Sequence, residues 1–365
     1  MRVLLTAATM AMGGAERVVI ELATGLTAGG DQVAVAADHG PLDSELDQIG
    51  IARFTQPGYG RSPMSIARGA AGIRRAIRTF RPDLIHSHNV KSTGLAAAAR
   101  ASSRARPPLL ATFHGVRRGE YRPAALILRA AAVVVCVSDD VADGLARSGL
   151  PRSRLRVIAN AVPAPEPLDA RRREALDGEL GLGGRPVVSL VGRLVRQKVP
   201  RRFLEAAALI ASELPECRFL VVGDGPLRPD LEADARRLSI DQAVRFTGIR
   251  PDARDLISRS DLIVFSSDWE GMSLVALEAL AAGTPVVATA VEGMQELLGG
   301  GAGVLVQRDA GSLAAAVIDL LGDPQRRAEM GRIGREQITT DHSLSGMIDA
   351  YRRLYGELTA RPGPT

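Results

Sequence analysis

Short apolar runs alternate along the whole chain with longer amphipathic stretches. In the first half, runs at residues 3–6, 32–37, 84–88, 109–113 and 133–138, with a last one at 156–158, have the length and apolar density of buried strands. Helical patterns lie between them, for example at residues 15–27 and 64–78. Such alternation predicts a parallel sheet covered by helices on both faces. The pattern halts at Asn160-Ala-Val-Pro-Ala-Pro-Glu-Pro, where repeated prolines continue neither a helix nor a central strand. It then restarts with strands at 187–191, 218–222, 244–247, 262–265 and 285–288. The expected fold is α/β: two doubly wound Rossmann-like domains facing each other across a cleft. Residues 1–162 would form the first domain, 168–340 the second, and 341–365 a C-terminal helix. Ligands of open α/β sheets bind beyond the carboxyl ends of the strands. The loops after Phe113, Val191, Val222, Thr247 and Phe265 are therefore expected to line the cleft.

At 365 residues the chain has room for two such domains, each with its own core. Aromatic residues make up 3% of it, with one Trp, which argues against stacking platforms for single-stranded nucleic acid. The net charge of +5 is uneven: residues 1–165 carry 21 Lys+Arg against 12 Asp+Glu, and residues 166–365 carry 25 against 29. A basic first half suits an anionic partner, and an Arg-rich composition without functional meaning accounts for it equally well. Cys136 and Cys217 stand alone in apolar runs with neither disulfide nor zinc spacing, so a cytoplasmic setting is expected. No apolar stretch reaches the roughly 18 residues needed to span a membrane.

The segment Asp268-Trp-Glu-Gly-Met-Ser-Leu-Val-Ala-Leu-Glu278, followed by Ala-Leu-Ala-Ala-Gly283, reads as loop, helix and glycine cap. The amides of Gly271, Met272, Ser273 and Leu274 sit where a helix begins, and unpaired N–H groups with the helix dipole suit a diphosphate. Glu270 precedes the helix and can reach a sugar hydroxyl. Glu278, about two turns in, can accept from ribose hydroxyls. The plain alternative is two solvated helix acids. Arg193 and Lys198, in Gly192-Arg-Leu-Val-Arg-Gln-Lys198, offer a guanidinium fork and a compact ammonium for a leaving diphosphate. His114 ends a strand. His86 and His88 alternate on another, a metal-ligand spacing with no third ligand at a persuasive offset. No Gly-x-Gly-x-x-Gly follows the first strand, and no P-loop lysine pattern occurs.

The Glu270/Glu278 segment resembles the Glu-x7-Glu signature of the group 1 retaining glycosyltransferases with the GT-B fold, and the likeness extends over nearly the whole chain. Gly13-Gly14-Ala15-Glu16 resembles that family's glycine loop near the donor phosphate. The segment ending in Lys198 is similar to its diphosphate loop, Val221-Val-Gly223-Asp-Gly-Pro226 to a second donor loop, and Val244-Arg-Phe-Thr-Gly248, with Ile249 after it, to the loop near the nucleotide base. The resemblance makes His114 the histidine that contacts the donor sugar, and residues 343–355 the last helix, which in this family crosses back to the first domain. Val199, Ala161 and Glu292 stand where the family usually has glycine.

The resemblance implies transfer of a sugar from a nucleoside diphosphate sugar, such as a UDP-sugar, to a hydroxyl of an antibiotic-like small molecule or a cell-envelope glycan. It further implies retention at the anomeric carbon, with no metal and no cofactor. His114 and Glu270 would be catalytic. Gly13, Gly14, Arg193, Lys198, Gly223, Ile249, Gly271, Met272, Ser273, Leu274 and Glu278 would bind the donor, with His88 on the acceptor side and His86 structural. A nucleotide-sugar epimerase and a silent sugar-nucleotide binding protein are the alternatives. The helix at 64–78 is expected to bury Ile66, Ile73 and Ile77. Its Arg68, Arg74, Arg75 and Arg78, with Arg104, Arg106, Arg117 and Arg118 elsewhere, would form a basic surface for weak contact with the inner face of a membrane. A solvated helix face is the plainer reading, because no aromatic anchor accompanies them.

Overall fold

A computed structural model describes residues 1–57, 60 and 62–360. The Arg-Pro-Gly-Pro-Thr tail and the side chain of Arg118 lie outside the described residues. The chain divides into two compact units. One comprises Met1–Asn160 with the C-terminal helix Leu344–Ala360, and the other Ala161–Ser343.

The first unit holds β1 (Arg2–Thr9), β2 (Gln32–Asp38), β3 (Ala52–Thr55), β4 (Leu84–Ser87), β5 (Leu109–Phe113), β6 (Val133–Cys136) and β7 (Leu155–Val157), in the order β3-β2-β1-β4-β5-β6-β7. All neighbours are parallel. The second unit holds β8 (Val187–Val191), β9 (Arg218–Val222), β10 (Val244–Gly248), β11 (Leu262–Phe265), β12 (Val286–Thr289) and β13 (Gly303–Val306), in the order β10-β9-β8-β11-β12-β13, again all parallel. Each sheet is doubly wound, with its reversal of strand order beside the unit's first strand.

The central strands are buried along their whole length: β4, β5, β6, β8, β11 and β12 expose no residue. That is why they read as largely apolar runs, with polar residues such as His86 and Thr112 paired inside, since helices cover both faces. In the second unit the helix Pro200–Glu213 sends Phe203, Leu204, Ala207 and Ile210 inward, and Phe203 meets Phe219 of β9 edge to face at 6.3 Å. Each such side chain contributes about 1.5–3 kcal/mol by leaving water. Cys136 and Cys217 are free and buried, and burial pushes both thiols up to about 12.

Two strands go beyond the sequence pattern. β3 and β13 are edge strands, the first mostly exposed and the second half-buried, so neither needs an apolar run. The basic helix runs Pro63–Phe80, capped by Ser62 and begun by proline, and it buries Ile73 and Ile77 as expected. Ile66 is instead 46% exposed. It lies on the same stripe, but the helix first closes on its neighbours at Gly69, where a Cβ would stand 2.9 Å from Leu95. Ile66 is a turn too early. Arg68, Arg74, Arg75 and Arg78 are all exposed. Among the described residues no helix is long and apolar enough to cross a membrane.

Candidate functional site

The second unit's candidates gather at the carboxyl ends of its strands, held largely by backbone against backbone. After β8 the chain turns through Gly192, and after β9 through Gly223, whose φ is +127°. The Gly192 N–H donates to Val222 O at 2.9 Å and the Gly223 N–H to Gly248 O at 2.8 Å. A Cβ on Gly223 would stand 2.1 Å from Gly192 O, so the loops after β8, β9 and β10 meet only because glycine is there. Ile249, next after β10, is 54% exposed, an apolar surface that suits the face of a base. Arg193 is exposed and has no ion-pair partner among the described residues.

Lys198 ends a short 3-10 turn, Arg196–Lys198, that leads through Val199 into the helix Pro200–Glu213. Val199 adopts φ 43° and ψ 53°, the left-handed conformation of the glycine it replaces in the family pattern. A β-branched residue pays about 1–3 kcal/mol for this, and the neighbourhood enforces it. Ser266 Oγ donates to the carbonyls of Lys198 and Val199 at 2.8 and 3.0 Å, and the Asp268 N–H to Gln197 O at 3.0 Å. These bonds hold Val199 in its left-handed conformation. The same ties bring Lys198 onto the Asp268–Glu278 segment. Lys198 Nζ donates to Glu270 Oε1 at 2.6 Å, Ser267 Oγ donates to that oxygen at 2.5 Å, and the ammonium lies 5.7 Å from the Phe265 ring centre.

The following helix begins at Leu274, after the N-cap Ser273, and ends at the left-handed cap Gly283. Glu278 is thus just over one turn in, not two, because Asp268 to Ser273 is loop. The Ser273 hydroxyl accepts from the Ala276 N–H at 3.5 Å. Met272, Ser273 and Leu274 are buried, and Gly271 is partly exposed. Glu278 accepts from Arg254 Nε at 2.9 Å, a partner that the sequence did not single out. Glu292, another departure, is followed by Gly293, where a Cβ would come within 1.7 Å of Gly271 O. The close approach is met by Gly293, so it does not require glycine at 292.

In the first unit β1 runs into a loop ending at Gly13, the N-cap of the helix Gly14–Ala28, and a Cβ on Gly13 would meet the Glu16 carboxylate at 2.3 Å. β4 and β5 carry two tiers of side chains on one face. In the lower tier His86 Nδ1 is 2.7 Å from Tyr355 Oη, His86 Nε2 is 2.7 Å from Thr112 Oγ1, and Thr112 Oγ1 is 2.9 Å from Tyr351 Oη. Both ring nitrogens of His86 are thus engaged within the fold. In the upper tier the His88 ring lies 4.1 Å from His86 and 6.0 Å from His114. Both His88 nitrogens and His114 Nε2 are enclosed without a hydrogen-bond partner among the described residues. Burial holds all three imidazoles neutral, lowering His86 to about 3, His114 to about 4 and His88 well below its usual value. The one sign of this two-tier arrangement in the sequence is that Tyr351 and Tyr355 lie four apart, on one helix face. Among the described residues no group of three or more His, Cys, Asp or Glu is gathered as for a metal ion.

Comparison with known proteins bears on both units. Residues 185–323 match the family described as Glycosyl transferases group 1, and residues 12–164 match Glycosyltransferase Family 4. The chain is 30% identical over 294 residues to the 2-deoxystreptamine N-acetyl-D-glucosaminyltransferase of Streptomyces fradiae, covering 72% of this chain and 70% of that protein. It is 28% identical over 345 residues to the lipopolysaccharide core biosynthesis glycosyltransferase LpsE of Rhizobium meliloti, covering 94% and 95%. Its structure is similar to that of Anabaena HepE in complex with UDP-glucose, with a TM-score of 0.87 at 22% identity, over 98% of this chain and 100% of the other. That likeness identifies the fold as GT-B.

Proposed function

Because the chain belongs to the group 1 glycosyltransferases, we propose that it moves a sugar, with retention and without a metal ion, from a nucleoside diphosphate sugar to a neutral hydroxyl. The observation that carries this reading is the contact of Lys198 with Glu270 at the strand ends. It puts a fixed cation beside the carboxylate best placed for a sugar. As the sugar–phosphate bond breaks, negative charge grows on the departing diphosphate. Lys198, Arg193 and the amides at the start of the helix after Ser273 stabilise it without reorganising. Glu270, held by Lys198 and Ser267, accepts from sugar hydroxyls. Glu278 accepts from the ribose and Ile249 packs on the base. Gly13 and Gly14 let backbone approach the phosphate.

His114, which is partly exposed, contacts the donor sugar, and His88, whose ring is enclosed, stands on the acceptor side. A neutral imidazole such as His114, whose Nε2 lacks a protein partner among the described residues, matches a hydroxyl, which both donates and accepts. No side chain of the described site combines exposure and an activating base as a covalent nucleophile needs. Attack therefore occurs on the face that the diphosphate leaves, and the departing phosphate oxygen takes the acceptor's proton. HepE, a structural neighbour, is in complex with UDP-glucose, which favours a UDP-sugar donor. The named relatives favour an aminocyclitol-like small molecule or an envelope glycan as acceptor. The exposed arginines of the helix Pro63–Phe80 give the protein a peripheral hold on anionic membranes, with Met64 and Ile66 as exposed apolar neighbours.

Product NMR and a chelator test the proposal. The product should keep the donor's anomeric configuration, and activity should survive excess EDTA. An inverted product refutes retention, and loss of activity restored by manganese refutes metal independence.

A further inference from the structure

The C-terminal helix Leu344–Ala360 contributes the only hydroxyls that reach the lower tier from outside the sheet among the described residues. Tyr351 and Tyr355 are each 1% exposed, and both aim into the face of β4 and β5 that bears the histidines. Strand geometry explains the stacking. His86 and His88 are two apart on one chain, and Thr112 and His114 two apart on the next, so all four project to one side. β4 and β5 are paired at His86 and Leu110, so Thr112 lies two residues beyond the partner of His86 and the bond between them runs diagonally across the two strands.

The lower tier is closed. Neutral His86 donates from one ring nitrogen and accepts at the other, so its two flanking hydroxyls hold complementary roles and the ring cannot rotate without breaking both bonds. The upper tier has no such restraint. His88 rests on the His86 ring at 4.1 Å, tilted by 36°, and has no hydrogen bond of its own in the described chain. Thr112, bound by Tyr351, fixes β5 two residues before His114.

We propose that Tyr351 and Tyr355 are positioning residues, which orient His88 and His114 through Thr112 and His86. The proposal rests on the reading that these histidines face the sugar and the acceptor. Neither tyrosine touches substrate. Their role is to hold the layer on which the enclosed His88 ring rests and from which β5 runs on to the partly exposed His114.

Tyr355→Phe and Tyr351→Phe remove one oxygen each and leave the ring packing in place. The readouts are the imidazole nitrogen resonances of His88 and His114, the melting temperature, UDP affinity by calorimetry and UDP release from UDP-glucose in water. The expected result is a shift of both histidines' resonances and an approximately tenfold slower UDP release, with UDP affinity within twofold of the parent protein. Unmoved resonances with unchanged release in a folded variant overturn the proposal. So does a loss of rate that disappears on cooling to where the variant is fully folded, because that is destabilisation alone. If His88→Ala and His114→Ala leave the rate unchanged while Tyr355→Phe still moves the remaining resonances, the anchoring stands and the assigned role of the histidines fails.

Discussion

Removing Lys198 leaves a carboxylate buried without its cation, and the cost follows from the geometry. The Glu270 side chain is 5% exposed and that of Lys198 18% exposed, at 2.6 Å. Breaking a buried pair from one side costs about 3–5 kcal/mol, since the surviving charge stays desolvated. Ser267 still donates to Glu270 in Lys198→Ala, which puts the expected loss at the lower end, about 3 kcal/mol. Glu270→Gln leaves a more accessible ammonium that water can reach, and about 1–2 kcal/mol is expected. In the double variant no buried charge remains, so the total should be about 2 kcal/mol instead of the 4–5 that independent effects would give. The coupling is then about 2–3 kcal/mol. Trp269, the chain's one tryptophan, neighbours the pair and reports urea unfolding of the second unit by fluorescence, with circular dichroism followed in parallel. Additivity within about 0.5 kcal/mol would show that the two groups do not depend on each other, and would remove the charge pair from the description of the donor site.

Glu278→Ala and Arg193→Ala should each weaken UDP binding by about 1.5–3 kcal/mol, the value of a hydrogen bond to a charged group; unchanged affinity in both by calorimetry would put the nucleotide elsewhere. Acid should destabilise the first unit. His86, His88 and His114 have folded pKa values below the unfolded value of 6.5, so their contribution is complete above about pH 6.5 and is lost as pH falls toward 4 and 3. A melting temperature flat from pH 7 to 4.5 would contradict their burial as neutral rings. On the membrane surface, each base is worth about 1 kcal/mol, so the protein should co-sediment with anionic vesicles at low salt but not with neutral ones. Retention by anionic vesicles in Arg74→Glu/Arg75→Glu/Arg78→Glu would discard that surface.

What the sequence reveals and what it hides divides by range. Central strands, the glycine loops and the Glu270–Glu278 string are local patterns, and local patterns survive in a linear reading because burial on both faces or a turn's φ constrains neighbouring residues directly. β3 and β13 have no such pattern because an edge strand need not bury both faces. Ile66 has the right periodicity and still lies exposed, because periodicity gives a face and not the depth at which that face meets its neighbour. The tie between His86 and Tyr355 spans 269 residues, and that between Thr112 and Tyr351 spans 239. No spacing rule reaches so far, so the tyrosines read only as apolar positions of a terminal helix.

The two units hold their candidate groups by different means, and this bears on which parts of such an enzyme can vary. In the second unit the donor groups hang on loops that touch backbone to backbone. A side chain at Gly223 or Gly293 would meet a carbonyl at 2.1 or 1.7 Å, and a carbonyl in a packed loop does not step aside. Those positions tolerate no change of residue while the loops keep their course, which fits the diphosphate site proposed for them. In the first unit the histidines are held by hydroxyls on side chains, with the upper tier unpaired. Side-chain anchors of this kind can be exchanged for others of similar reach without moving the backbone. If His88 stands on the acceptor side, as proposed, small substitutions around it can change the acceptor while the candidate donor loops stay as they are.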